Sequence, residues 1–197
     1  MVDRIILSAF DHTLLRDMKK VLPQVRVGAL TMPNMEGADA FRMMEAALPE
    51  DKPLDQVTRE DLRLPEGAGG DDGMGIRGKD PADRLLESAR SLAAIYPGQT
   101  FAQARASLAL QHDLDAYVAS LDFPLEFLHC EVRSCLADPE LIGKMHRRGV
   151  GVNPWTVDRV EDMKTLMDQG ADGIITNRPD LLLDLLKETE KSEDTPK

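Results

Sequence analysis

Cysteine, basic charge and long apolar runs are all scarce in this 197-residue sequence, and each scarcity closes off a class of function. Two cysteines, Cys130 and Cys135, are too few for a disulfide framework. The expectation is a pair of reduced, half-buried thiols and, by default, a cytoplasmic protein. Lys and Arg together number 24 against 35 Asp and Glu, a formal net charge of −11. So acidic a chain repels phosphate backbones and anionic membrane surfaces, which argues against nucleic-acid binding. It places no bar on a small phosphorylated ligand, which meets a local site rather than the average charge. No apolar run approaches the ~20 residues of a bilayer span. The N-terminal Met1-Val2-Asp3-Arg4 turns polar too abruptly for a signal peptide.

What is present is an ordinary globular balance, 42% hydrophobic and 30% charged residues. Arg4–Phe10 contains a short apolar run without helical period and reads as a buried strand. Asp11 offers an N-cap, Leu14, Leu15 and Met18 share a helical face, and Pro23 stops the helix. Val25–Leu30 is a second strand, so the chain opens with a parallel βαβ unit. Residues 34–122 break the rhythm. A short helix fits Asn34–Leu48, and a charged stretch broken by prolines follows. Residues 66–80 hold six glycines beside Asp71 and Asp72 and read as a flexible loop. Asp80-Pro81 then starts a helix with Leu85, Leu86, Ala89, Leu92 and Ala93 on one stripe, and one helical stretch is expected over Thr100–Leu121. The alternation resumes at Phe123. Glu126–Cys130 reads as a strand, Asp138-Pro139 opens a helix ended by Gly149, and Val150–Trp155 is a strand. Asp158 with Glu161 suggests a capping box, Gly170 a stop, Gly173–Thr176 a last strand, and Pro179 a closing helix with a frayed tail. Short buried strands each followed by a capped amphipathic helix predict a parallel α/β fold. The expected architecture is a partial TIM-type (β/α) barrel carrying a helical, partly disordered insertion. Its expected parts are 1–33 (barrel strand-helix-strand), 34–122 (insertion), 123–190 (barrel strands and helices) and 191–197 (charged tail).

Three blocks of residues resemble the glycerophosphodiester phosphodiesterase family. Ile5–His12 is similar to the family's strand ending in Ser-Phe-Asp. Val152-Asn153-Pro154-Trp155-Thr156-Val157-Asp158 is similar to its Val-x-x-Trp-Thr-Val-Asn strand end. Gly170-Ala171-Asp172-Gly173-Ile174-Ile175-Thr176-Asn177-Arg178-Pro179 resembles its closing Gly-x-Asp-Gly-Ile-Ile-Thr-Asp-Arg-Pro. With Leu136–Arg148, the match covers the start of the chain through residue 33 and its C-terminal third. The resemblance implies a TIM-type barrel that hydrolyses glycerophosphodiesters to an alcohol and glycerol 3-phosphate, a step of lipid metabolism. It also implies a divalent metal, Mg²⁺ or Ca²⁺, held by carboxylates, with a histidine pair as general acid and base. Here the sequence departs from the family. His-Arg-Gly, Glu-x-Asp and His-Asp belong ahead of the Ile5 block, the chain contains no His-Arg-Gly, and Met1 leaves no room ahead of that block for the strands that carry them. His12, His112, His129 and His146 stand in none of the catalytic contexts. Ala9 and Asn177 replace a usual serine and aspartate. The expectation is therefore a C-terminal half with no catalytic residue or metal ligand of its own, inactive alone. It would be completed by an N-terminal half or by self-association, with a role as a non-catalytic interaction module as the alternative.

Active sites of such barrels collect at the C-terminal strand ends. Trp155, His129 and Phe10 are the substrate-binding candidates placed there. Trp155 would pack on the glycerol moiety and offer its indole N–H to a phosphate or hydroxyl, or else close the barrel mouth as a core residue. His129 would line the pocket, or be a hydrogen-bonded, half-buried histidine. Phe10 is expected mainly to pack. His12, in the first turn of a helix, is expected at the surface with its charged form disfavoured. His129, Cys130, Cys135 and His146 fit no usual zinc spacing. Gly73–Gly78 matches Gly-x-Gly-x-x-Gly, but it lacks a preceding strand and two aspartates precede it, so a loop is expected.

Overall fold

The computed structural model describes residues 4–32, 39–64 and 80–193. The chain divides into two units, residues 1–33 with 113–197, and residues 34–112. Where the sequence grouped 34–122 together, the short helix Leu114–Ala119 clusters with the sheet.

The first unit is built on four parallel strands: β1 (Ile6–Ala9), β2 (Arg26–Leu30), β3 (Phe127–His129) and β4 (Gly151–Val152), in the order β1-β2-β3-β4. Gly28 pairs with Ser8 on one side and Phe127 on the other, and Phe127 pairs with Gly151. Strand order that follows chain order without reversal is singly wound, as in a barrel, whereas a doubly wound sheet reverses at a switch point. Beside β4, Asp172 N–H donates to Val152 O and Ile175 N–H to Pro154 O, both at 3.0 Å. The segment expected as a strand at Gly173–Thr176 forms no named strand, but these bonds make it a neighbour of the Trp155 segment. The fold is the expected α/β parallel sheet of partial-barrel type, and the barrel is not closed.

The pleat sorts side chains to two faces. Leu7, Ala9, Val27 and Ala29 pack with Leu15 and Val25 under helix α1 (His12–Val21). Leu128, Cys130 and Val152 pack with Leu141, Ile142, Met145, Met163 and Leu166 from helices α7 (Leu141–Arg147) and α8 (Val160–Asp168). Each such side chain contributes roughly 1.5–3 kcal/mol on burial, so this helix-covered face carries most of the unit's stability. Asp11 caps α1 as expected, accepting from the Thr13 N–H at 3.0 Å. Gly149 and Gly170 end α7 and α8 at φ 76° and 88°, the left-handed stop that glycine alone takes without strain. At the opposite end of the strands Lys19 Nζ, buried, donates to Val25 O at 2.7 Å and pairs with the Glu126 carboxylate. Glu126 also accepts from the Val27 N–H at 2.9 Å. The buried ammonium and the half-buried carboxylate are thus both partnered.

The second unit comprises α2 (Asp39–Ala47), two 3₁₀ turns, α3 (Pro81–Ile95) and α4 (Phe101–Leu110). Asp80 caps α3 through the Ala82 N–H at 2.9 Å, with Pro81 at the first helical position. Phe101, Leu54, Leu85, Ala89 and Ala104 are buried. Burial of Tyr96 pushes its hydroxyl up to about 12, only partly offset by the bond from Gln111.

Several local expectations are corrected. The helical stretch over Thr100–Leu121 is two helices, α4 and α5 (Leu114–Ala119), because Asp113 starts the second by accepting from the Ala116 N–H at 3.0 Å. A six-residue helix α6 (Val132–Ala137), which no periodicity announced, follows β3 directly. Asp158 is no cap of α8. Its carboxylate instead takes the Asn177 N–H at 2.8 Å and the Thr176 hydroxyl at 3.0 Å, joining two strand-end loops, and these bonds, the Asn177 N–H foremost, hold it below the usual carboxylate range. The closing helix α9 runs from Pro179 to Glu193, beyond the point where fraying was expected. Cys130 and Cys135 are joined in a disulfide with Cα atoms 6.5 Å apart, and both are fully buried. The abrupt start of α6 after β3 folds Cys135 back over Cys130, a proximity that cysteine counting does not register. The Gly73–Gly78 motif and most of the expected flexible loop lie outside the described residues.

Candidate functional site

The face of the sheet opposite the helices carries Ser8, Phe10, Arg26, Gly28, Phe127, His129, Gly151 and Asn153. On it large side chains lean across glycines of neighbouring strands. A β-carbon at Gly28 would lie 2.6 Å from His129 Cε1, one at Gly151 2.8 Å from the Phe127 ring, and one at Gly173 2.8 Å from Asn153 Oδ1. Alternating small and large residues is how the interior of a small barrel is filled. This face is the lumen side.

His129 is its central polar group. The ring is 5% exposed and lies over Gly28. Asn153 Nδ2 is 3.2 Å from His129 Nε2, and Ser8 Oγ is 3.1 Å from His129 Nδ1. With the amide as donor, Nε2 accepts and Nδ1–H donates to the hydroxyl of Ser8, an exposed residue. Burial lowers the His129 pKa, so the ring is neutral at pH 7. His129 is hydrogen-bonded and is more deeply buried than the half-buried position expected of it.

Trp155 and Phe10 stand at the same rim, rings 5.5 Å apart in edge-to-face contact. The indole N–H, expected to be offered to a ligand, is instead donated to His129 O at 2.7 Å. That carbonyl also accepts from the Thr31 N–H at 3.1 Å. Trp155 is therefore fixed against the end of β3, with only its ring face and edge available for contact. The three candidates meet in one place: Phe10 touches Trp155, and Trp155 is bonded to the backbone of His129.

His12, expected at the surface, is half-buried. Its Nε2–H donates to Leu30 O at 2.9 Å, and Nδ1 is bonded to the Tyr117 hydroxyl. Burial lowers its pKa despite that carbonyl and Asp11. His146 is at the far end of the strands, its Nε2 2.8 Å from Asp172, which also takes the Val152 N–H at 2.7 Å. Sequence reasoning missed Ser8, Gly28 and Asn153. Ser8 precedes Phe10 by two and Asn153 precedes Trp155 by two, the interval that keeps a strand residue on the same face.

A divalent metal needs converging oxygen or nitrogen ligands. Among the described residues no group of three His, Cys, Asp or Glu side chains is placed to hold one. Glu131, bridged to Trp155 through the backbone, has its carboxylate committed to the Arg133 N–H and Nε, both at 2.9 Å.

A sequentially ordered parallel sheet, helices on one face and glycine-spaced large residues on the other, belongs to the (β/α) barrel class of enzyme scaffolds. Residues 87–181 match the model of the glycerophosphoryl diester phosphodiesterase family, so the family resemblance is borne out, in the C-terminal part of the chain. A glycerophosphodiester phosphodiesterase of Caldanaerobacter subterraneus is 47% identical over 49 residues, 25% of this chain and 20% of the relative. A probable glycerophosphodiester phosphodiesterase 2 of Mycobacterium tuberculosis is 48% identical over 48 residues, 24% of this chain and 18% of the relative. The uncharacterized protein YqiK of Bacillus subtilis is 38% identical over 76 residues, 39% of this chain and 30% of that protein. The chain thus matches less than a third of the length of each. A solved structure, a putative glycerophosphoryl diester phosphodiesterase of Silicibacter pomeroyi, is similar at 17% identity and a TM-score of 0.42, over 92% of this chain and 38% of the other.

Proposed function

We propose that this chain contributes the substrate-facing C-terminal staves of a metal-dependent glycerophosphodiester phosphodiesterase, with Phe10, His129 and Trp155 toward the glycerol side of the substrate. The observation that carries this reading is the convergence of the three residues at one strand-end rim, in a chain whose residues 87–181 match the family. The reaction breaks a P–O bond to give an alcohol and glycerol 3-phosphate. An anionic diester repels nucleophiles, so charge neutralisation by a metal and general acid–base groups is required. The described residues hold no such metal set, so those groups would come from further staves. The chain by itself is expected to be inactive. No described helix is long and apolar enough to cross a membrane, and a role in lipid metabolism fits the reading. The test is turnover of bis(p-nitrophenyl) phosphate and glycerophosphocholine by the purified 197-residue chain in Mg²⁺ and Ca²⁺. No turnover is expected, and metal-dependent hydrolysis would overturn the assignment of catalytic groups elsewhere.

A second reading, a self-associating interaction module, is favoured by the outer edge of β1, which pairs with no further strand among the described residues. The named strands number four among the described residues, and two copies would supply the eight of a closed barrel. Sedimentation discriminates the two, a concentration-dependent dimer supporting the module.

A further inference from the structure

We infer that Asn153, His129 and Ser8 form a directed hydrogen-bond relay that presents the Ser8 hydroxyl proton to an anionic phosphate oxygen in the lumen. This deepens the proposed phosphodiester reading and rests on it for the class of ligand. The direction follows from the geometry. Asn153 Nδ2 stands 3.2 Å from Nε2, which makes Nε2 the acceptor and leaves the ring proton on Nδ1. Nδ1–H then donates to Ser8 Oγ at 3.1 Å. The Ser8 oxygen accepts from the ring, its own proton is left to donate, and the residue is exposed on the lumen face. Donation along a chain polarises each member, so this hydroxyl is a stronger donor than a lone serine. Gly28 allows the arrangement, because any side chain there would displace the ring.

The anion preference comes from the same face. Arg26 lies on it one pleat toward the start of the strands, its guanidinium 5.7 Å from the centroid of the Phe127 ring. Its Nε is buried with no hydrogen-bond partner among the described residues. An anion entering the lumen meets a cation below and a polarised hydroxyl above. Ser8 is the ligand-contacting residue, while His129 and Asn153 are positioning residues that fix which atom carries the proton.

The test uses the ¹⁵N-labelled full chain and long-range ¹H–¹⁵N spectra of the His129 ring, titrated separately with inorganic phosphate and with glycerol. The Nδ1–H tautomer is expected, with a saturable phosphate-dependent shift at Nδ1. Ser8→Ala should weaken the phosphate response about tenfold, the equivalent of one hydrogen bond to a charged partner. Ser8→Thr, which keeps the hydroxyl, should restore it. Asn153→Asp should move the proton to Nε2 and abolish the response with the fold intact. An Nε2–H tautomer in the unmutated chain overturns the relay. So does a response to glycerol but not phosphate, no response to either, or a phosphate response unchanged in Ser8→Ala. Each of these leaves the diester reading standing, since that reading is tested by turnover.

Discussion

Gly28→Ala puts the lumen packing to its most direct test. The added β-carbon would sit 2.6 Å from Cε1, 2.7 Å from Nε2 and 3.0 Å from Nδ1 of His129. Those atoms belong to a planar ring pinned at both nitrogens, so the ring as a whole must move. Moving it breaks the contacts to Ser8 and Asn153. Two hydrogen bonds of about 1 kcal/mol each are lost, and overpacking adds roughly 1 kcal/mol more. A destabilisation of about 2–3 kcal/mol is expected, or roughly 5–10 °C in Tm for a chain of this size. Urea unfolding with unchanged m-value measures it. Gly143→Ala supplies the matched control. Gly143 is inside helix α7, and a β-carbon there meets nothing closer than the Arg147 guanidinium at 3.6 Å. The same chemical change there should stabilise by about 0.5–1 kcal/mol. Opposite signs from one substitution type are expected. The double variant Gly28→Ala with His129→Ala should recover much of the loss relative to the sum of the singles, because the methyl then has room. A neutral Gly28→Ala, or strict additivity in the cycle, would refute the account of this face.

The His12 and His129 pKa values both lie below the unfolded value of about 6.5. The unfolded chain therefore takes up protons that the folded chain refuses, and stability should fall as pH drops below about 6.5. Each group contributes a slope of at most about 1.4 kcal/mol per pH unit. His129→Gln should flatten that slope, which denaturant midpoints across pH 5–7 would reveal. Replacing both Cys130 and Cys135 by Ala opens a short loop, sequence separation 5, and should cost about 2 kcal/mol by loop-closure entropy. A reductant-insensitive Tm in the parent chain would contradict the bond. Trp155→Phe removes the indole N–H from His129 O and should cost about 1 kcal/mol, with the His129 ring signals shifted. Unchanged signals would show that Trp155 does not fix the end of β3.

The framework was legible because its signals are local. Asp11, Asp80, Gly149 and Gly170 mark helix ends through their own side chains or through the absence of one. What resisted reading depends on partners distant in sequence. Asp158 and Glu161 have capping-box spacing, yet the Asp158 carboxylate finds better donors across the loop at Thr176 and Asn177. Asp113 could equally have sat inside a long helix, and only its bond to Ala116 shows the restart. The disulfide needed the turn between β3 and α6, which has no periodic signature in six residues.

The candidate site was half visible, and the other half was within reach of the same rule. Phe10 and Trp155 were placed at strand ends from the motif blocks. A strand keeps every second residue on one face, so naming Phe10 also names Ser8, and naming Trp155 also names Asn153. Placing His129 on that same face then leaves one requirement, a neighbouring position small enough for an imidazole to cross. Gly28 pairs with Ser8 on β1 and with Phe127 on β3, and it meets that requirement. A glycine inside a buried parallel strand weakens the strand unless another group occupies its space. Here the occupying group is the ring that carries the relay, so Gly28 is explained by the site rather than by the sheet.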